Sequence, residues 1–443
     1  MSASPGQPEL EALIDSALKE ALRIGATAAD AAVTVDSGLS VSVRLGEVET
    51  LEYHRDRGLG ITVYLGQRKG SATTSDVSWP AVAETVAKAV SIARYAAEDA
   101  YAGLPERELL AFGYPDLDLS HPWALEADEA IELARASESA ALAYDKRITN
   151  SEGASIGTHS GIKVYGNTLG FIGGFPSTYY SLSCVVVGSQ DEQMERDYWY
   201  TAARLREGLE DPAAVGRIAA ERTVRRLGAT RIATTRAPVL FVPELARGLI
   251  GHFLGAIRGG SQYRKSSFLL DAAGTQVFPQ FVQLDERPHV PRALGSAPFD
   301  GEGCATHDRA LVHGGVLDGY VLNTYSARKL GLKSTGNAGG VHNLELAPGS
   351  EDFDALVRRM DRGLVVTELM GQGVNGVTGD YSRGAAGFWV ENGAIVRPVN
   401  EITIAGNLKD MLRNIVAVGS DVDRRGSVQT GSILVEAMTI AGE

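Results

Sequence analysis

Apolar side chains in residues 8–24 recur at Leu10, Leu13, Ile14, Leu18 and Leu22. That is the spacing of one helical face, and Gly25 stops it. From Ala31 to Thr74 the period falls to two. Leu39, Val41, Val43 and Leu45 alternate with polar residues up to a turn at Gly46, and Val48–His54 and Leu59–Leu65 follow. The alternation predicts an antiparallel meander with one wet face. Ser78 and Pro80 open a second helix, with Val82, Val86, Val90 and Ala93 on one side. Leu104–Trp123, rich in Pro, Leu and acids, reads as an extended connection. A helix is predicted from Asp128 to about Ala143, strands over Ile148–Phe175 and Tyr179–Thr201, and a helix from Pro212 to near Gly228.

The weakly patterned stretch Gly228–Arg236 separates two halves. Beyond it come a strand at Val239–Val242 and a helix over Pro243–Arg258 with the stripe Leu245, Leu249, Phe253 and Ala256. Short strands are predicted at Leu311–Val316, Tyr320–Tyr325, Gly363–Leu369, Gly387–Val390 and Ile433–Thr439. Helices gathered apart from strand blocks favour an α+β fold over a doubly wound sheet. The expected architecture is two domains. Residues 1–230 form a helix-plus-antiparallel-sheet domain, and residues 231–443 form a sheet-rich domain carrying the Pro243–Arg258 helix.

Composition sharpens this picture. Glycine, at 51 of 443 residues, favours many tight turns and hence many strands. A net charge of −13 disfavours nucleic acid, whose phosphates are gripped by clustered Lys and Arg. Two cysteines, Cys184 and Cys304, are too few for a disulfide framework and fit a reducing cytoplasm. Met1–Glu11 lacks the basic-then-apolar order of a secretory signal, and no run approaches the ~20 apolar residues of a membrane span.

Candidate chemistry concentrates late in the chain. Gly371, Gly373, Gly376, Gly379, Gly384 and Gly387 follow the strand-like run Leu364–Thr367, and Gly387–Glu391 leaves as a second strand. Such glycine density lets backbone come close to another chain or a ligand. Asp380, Tyr381, Ser382 and Arg383 sit at the centre of this loop, where function is commonly presented. The exit as a strand removes the strand–turn–helix setting that a nucleophilic Ser382 needs. Gly336–Gly340 lacks the G-K-[ST] of a phosphate loop.

This block, with Asn323-Thr-Tyr-Ser-Ala-Arg-Lys-Leu-Gly-Leu-Lys-Ser-Thr-Gly336 before it and Glu401-Ile-Thr-Ile-Ala-Gly-Asn-Leu-Lys-Asp410 after it, resembles the TldD/PmbA family, and within it the PmbA (TldE) branch. The likeness extends almost end to end, through Gly58-Leu-Gly-Ile-Thr-Val-Tyr64, Ala93-Arg-Tyr95, Asp145-Lys-Arg-Ile-Thr-Asn150 and Tyr263-Arg-Lys-Ser-Ser-Phe-Leu-Leu-Asp271. It implies a subunit of a cytoplasmic peptidase whose TldD-type partner carries the zinc. The family's older label, modulator of DNA gyrase, reads as an indirect effect of peptide maturation and antitoxin breakdown. The zinc-bearing half of the family places H-E-x-x-x-H on the helix matching Pro243–Arg258 and adds a late cysteine. Here that helix reads Gly251-His252-Phe253-Leu254-Gly255-Ala256. Gly251 stands for the first His, His252 for the Glu and Ala256 for the second His, and no cysteine follows Cys304. A zinc peptidase needs three protein ligands and an open position. One imidazole does not replace two imidazoles and a general base. No H-E-x-x-H or C-x-x-C occurs elsewhere. The resemblance therefore implies no catalytic residue and no metal in this chain, with zinc expected in the partner.

His252 reads either as a core or interface histidine or as the lining of a peptide channel. Cys304, His307, His313 and His342 match no recurring metal spacing, and His54, His121, His159 and His289 read as isolated surface or turn residues. Gly259-Gly-Ser-Gln-Tyr-Arg-Lys265 ends the helix. Its glycines suit a C-cap, and Arg264 and Lys265 suit a carboxylate on a peptide or partner. Arg264, Lys265, Asp380, Tyr381, Ser382 and Arg383 are the candidate peptide or partner contacts. The expected function is the non-catalytic subunit of a heterodimeric zinc metallopeptidase. Its substrates are unfolded or extended peptides, held by main-chain bonds to a sheet edge. A homodimer in isolation would cover the heterodimer surface. One rival is an autonomous metallopeptidase with an atypical site built from the C-terminal histidines. Another is a peptide-binding or chaperone-like module without hydrolysis.

Overall fold

The computed structural model describes residues 6–442. Residues 1–5, which open the first expected domain and the Met1–Glu11 segment, and residue 443 lie outside that range. The first half contains α1 (Gln7–Arg23), β1 (Ala28–Arg44), β2 (Glu47–Leu65), β3 (Arg68–Thr74), α2 (Trp79–Tyr95), α3 (Ala127–Leu142), β4 (Ile148–Asn167), β5 (Ile172–Gln190), β6 (Gln193–Ala203) and α4 (Pro212–Arg226). Its strands make one antiparallel sheet in the order β3-β2-β1-β4-β5-β6. Alternate residues of β1 share one face. Ala29, Ala31, Val33 and Val35 pack with α1 and α2, and Leu39, Val41 and Val43 with α3 and α4.

Val48–His54 and Leu59–Leu65, expected as separate strands, form one strand. Gly58 and Gly60 stay extended, paired with Thr34 and Ala32. Ile148–Phe175 instead divides at Thr168–Phe171, where Gly170 takes φ 93°. β3 pairs β2 only from Leu59 to Leu65, so the exposed stretch Glu47–Arg57 leaves an open sheet edge.

The second half contains β7 (Thr235–Phe241), α5 (Pro243–Ile257), α6 (Gly259–Tyr263), β8 (Leu284–Glu286), β9 (Arg309–His313), β10 (Val316–Leu317), α7 (Thr324–Leu330), β11 (Leu344–Leu346), α8 (Phe353–Met360), β12 (Gly363–Met370), β13 (Asp380–Glu391), β14 (Ala394–Asn407), α9 (Leu408–Arg413), β15 (Ile415–Val418), β16 (Val428–Gln429) and β17 (Ile433–Ala441). A sheet ordered β14-β13-β12-β7-β17-β15 curls until β14 also pairs β17, and a smaller one runs β10-β9-β8-β11-β16. α5 lays Ile250, Phe253 and Ile257 against Val239, Phe241, Leu364 and Val366. α8 covers the opposite face with Leu356, Val357 and Met360 against Leu240 and Val365. The α+β class follows directly from these helix-on-sheet layers.

Two local expectations are corrected. Tyr320–Tyr325 is not a strand. The Asn323 side chain accepts the Ser326 N–H at 3.0 Å, starting α7, and Gly331 closes the helix at φ 68°. Asp380–Arg383 do not sit mid-loop. They open β13, because Asp380 to Ala385 pair with Asn407 to Ile402 of β14.

Buried ion pairs join the halves and fix where α5 begins. Arg226 of α4 meets Glu195 at 3.0 Å, Asp197 at 3.6 Å, and Glu368 of β12. Arg222 links Asp197 at 3.3 Å to Glu244 at 3.1 Å. Glu244 lies in the first turn of α5, where the helix dipole favours a carboxylate.

Candidate functional site

α5 starts at Pro243, whose fixed φ suits a first helical turn. Its buried stripe faces the curled sheet, and its opposite side is bare. A side chain at Gly248, Gly251 or Gly255 would meet no neighbouring atom within 4 Å, and all three glycines are exposed. Each glycine inside a helix costs about 1 kcal/mol relative to alanine. The chain thus keeps a stripped helix surface at a cost to its own stability.

The glycine loop folds back over this surface. Ser382 N–H donates to the Gly373 carbonyl at 2.7 Å, Asn375 N–H to Asp380 at 2.8 Å, and Phe268 N–H to Gly376 at 2.9 Å. A Cβ at Gly373 would come 1.9 Å from the Ser382 carbonyl oxygen, so only glycine permits this approach. Between loop and helix lies a cavity of about 320 Å³, lined among others by Gly251, His252, Gly255, Ala256, Gln372 and Arg383.

Strand parity decides which candidates reach the cavity. Tyr381 and Arg383 share the inward face of β13. Tyr381 is buried, its ring edge-on to His252 with centroids 6.0 Å apart. Burial pushes its hydroxyl up to about 12, against the pull of the Arg383 guanidinium. His252 is half-buried, and burial, then the charge of Arg383, hold its pKa below the usual histidine value. Both effects favour the uncharged imidazole at neutral pH. Arg383 gives a long hydrogen bond, 3.4 Å, to the Leu369 carbonyl and meets the Tyr381 hydroxyl, while its buried Nε has no partner.

The other candidates point elsewhere. Asp380, exposed, accepts from Thr378 at 2.7 Å and Asn407 at 3.3 Å, and Ser382 is exposed on the outer side of the strand. Arg264 donates to the Tyr263 hydroxyl at 3.1 Å and lines a neighbouring cavity of about 330 Å³ with Arg258. Lys265 is exposed at φ 55°. Glycine does not cap α5. Arg258 ends it in extended backbone, and Gly259 instead lets α6 approach Ser326, whose Oγ would lie 2.3 Å from a Cβ there. A free sheet edge is also missing at this point, since β14 pairs one side of β13 and the loop folds on the other.

The residues around His252 do not fit a hydrolytic zinc. The cavity offers one imidazole, no thiolate, no carboxylate and a fixed cation, whereas a zinc peptidase site needs three donors and an open position. Among the described residues, none of His307, His313 and His342 falls in a cluster of three close metal-donor side chains. Cys304 lies instead with Asp300 and Glu302, their donor atoms within 4.8 Å. That cluster has a local cause. The Asp300 carboxylate accepts the N–H groups of Glu302, Cys304 and Ala338 at 2.8–2.9 Å, and burial pushes its pKa up to about 6. What sequence reasoning missed is the glycine face. Its signal, Gly248-x-x-Gly251-x-x-x-Gly255, was present in the chain.

Residues 234–442 match the PmbA/TldA metallopeptidase C-terminal domain, residues 120–227 its central domain and residues 29–93 its domain 1. The chain is 52% identical over 434 residues to Metalloprotease PmbA of Escherichia coli O157:H7, covering 97% of this chain and 96% of that protein. It is 50% identical over 437 residues to a Metalloprotease PmbA homolog of Haemophilus influenzae, covering 98% and 97%. A crystal structure from Bacteroides thetaiotaomicron bearing the label modulator of DNA gyrase superposes with a TM-score of 0.93 at 29% identity, over 98% of this chain and 99% of that one. TldE from Thermococcus kodakarensis shares the fold, with a TM-score of 0.85 at 20% identity over 97% and 100%. The chain belongs to the PmbA/TldD metallopeptidase family.

Proposed function

We propose that this chain is the zinc-free, TldE/PmbA-type subunit of a two-subunit metallopeptidase. A TldD-type partner supplies the zinc, the glutamate base and peptide-bond cleavage. This chain shapes the chamber and admits unfolded or extended peptides, in the cytoplasm. One observation carries the reading. Where the family resemblance implies zinc donors, the cavity is lined by Gly251, Ala256 and a lone His252 whose pKa burial lowers, with Arg383 adding positive charge.

The open edge of β2 is the proposed place for partner strand addition. Exposed Val48, Leu51 and Tyr53 lie along it. In isolation the same edge offers a route to a homodimer.

The test is to measure zinc content and cleavage of an unfolded peptide for the purified chain, for the partner, and for the mixture. Cleavage is expected only when the partner is present, and is expected to rise when this chain is added. Stoichiometric zinc at α5 with robust cleavage by this chain alone would overturn the proposal. Peptide binding without any effect on the partner's turnover would favour a binding module instead.

A further inference from the structure

Arg383, half-buried, lacks the carboxylate that commonly answers such a cation. Its Nε is shielded from solvent without a hydrogen-bond partner, and the groups its guanidinium does reach are neutral, the Leu369 carbonyl at a long 3.4 Å and the Tyr381 hydroxyl. Among the described residues no carboxylate oxygen comes within 4.0 Å of it, although the chain carries 55 acidic residues. An unmet donor on a charged group costs more than a neutral one, and native structures seldom leave one without a reason. Around it stand the neutral imidazole of His252, the hydroxyl groups of Ser261 and Ser266, and the open helix surface at Gly251 and Gly255. Nothing lining the cavity repels an anion, and two glycines leave room for a main chain.

We propose that this cavity binds a carboxylate group of an extended peptide, with Arg383 as the cationic ligand and the glycine face of α5 receiving the adjoining main chain. The inference rests on the peptide reading above and deepens it by naming the group recognised. A guanidinium presents paired N–H donors that match a carboxylate's two oxygens. A peptide's C-terminal carboxylate and a Glu or Asp side chain offer the same group, so the test separates them.

Calorimetric titration of the purified chain would use N-acetyl-trialanine as the free acid, its C-terminal amide, the N-acetyl-Ala-Glu-Ala amide, and acetate. The free acid is expected to bind about 10-fold or more tighter than the amide, the worth of a charge-assisted pair. Arg383→Met should bring that ratio to about one, and Arg383→Lys should keep part of it. Unchanged melting temperature and circular dichroism would verify both variants. A gain confined to the free acid assigns the C-terminus, and an equal gain for the Glu peptide extends the site to side chains. Equal affinity for acid and amide, a preference surviving Arg383→Met, or no binding by any of the four probes overturns the inference. Acetate binding as tightly as the peptide acids would keep the carboxylate site and overturn the peptide reading. Peptide affinity indifferent to the carboxylate would do the reverse.

Discussion

Replacing Arg226 by Met probes the buried ion-pair joint between the two halves. The guanidinium is 10% exposed and answers Glu195, 11% exposed, and Asp197, 6% exposed, along with Glu368 at the rim. Methionine fills similar volume without charge. The carboxylates then stay buried with their cation gone, a situation that costs about 3–5 kcal/mol. Arg222 still reaches Asp197 at 3.3 Å, and Glu368 is more than a third exposed, so the lower end, about 3 kcal/mol, is expected. At about 2.1 cal/mol/K of unfolding entropy per residue, a 443-residue chain melting as one unit would lose about 3 °C. Arg226→Lys keeps the charge but loses the fork, and should fall between Met and wild type. Glu195→Gln added to Arg226→Met should recover part of the loss, although alone it costs stability. Differential scanning calorimetry and denaturant titration measure wild type and the four variants. An Arg226→Met chain within about 0.5 kcal/mol of wild type, or Glu195→Gln effects that simply add, would refute the reasoning.

Phe253 is fully buried and packs edge-on to Phe278 at 5.0 Å, so Phe253→Ala should cost about 3–5 kcal/mol in denaturant unfolding, and a loss under about 1 kcal/mol would contradict this packing. Burial raises Asp30 to about 7, eased by Lys69 and by the Tyr64 hydroxyl at 3.3 Å. A raised acid stabilises below its unfolded pKa of about 4 and loses that contribution as pH climbs through 7, so Asp30→Asn should gain melting temperature over wild type from pH 5 to pH 8, and a constant difference would count against it. Gly373→Ala places a Cβ 1.9 Å from the Ser382 carbonyl oxygen, so hydrogen exchange at the Ser382 amide should speed up while the melting temperature hardly moves. Gly251→His, His252→Glu and Ala256→His together should take up zinc appreciably only when Arg383→Met is added, and equal uptake with and without Arg383 would remove the electrostatic part of the argument.

The elements legible in the chain are those whose own residues set their period. α1 and α2 announce themselves because each buries one stripe on one sheet face. β14 gave no such signal. Its 14 residues include Arg397, Pro398, Asn400 and Glu401, and its register comes from pairing with β13 and β17 rather than from alternation. α7 was misread because Val321 and Leu322 suggested a strand, whereas the Asn323 cap decides the local structure. The site divides the same way. The expectation that Gly251 and Ala256 stand where zinc donors would be came from the family resemblance, and the structure adds that neither offers a donor side chain in the cleft they line. The meeting of Arg383 with His252 was not readable, because it depends on β13 starting at Asp380, which sets the parity that turns residues 381 and 383 inward.

Two separate changes stand between this cleft and metal chemistry, and they differ in kind. The first is missing donors, and at Gly251 packing does not enforce it, whereas Ala256 is buried in the core. A side chain at Gly251 would meet no atom within 4 Å, so a histidine there has space. The second is charge. A guanidinium lines the same cavity, and two unit charges 4 Å apart near a protein surface interact by about 4 kcal/mol, an effect that doubles for a dication. A cleft that had only lost its ligands would be indifferent to what entered it. A cleft holding a guanidinium with no carboxylate partner, an imidazole pushed toward its uncharged form and a helix face stripped to glycine suits the anion on an extended chain proposed above. On the proposed reading, the positive charge that zinc would bring to a substrate oxygen is carried by a side chain that cannot activate water, and that difference would separate holding a peptide from cutting it.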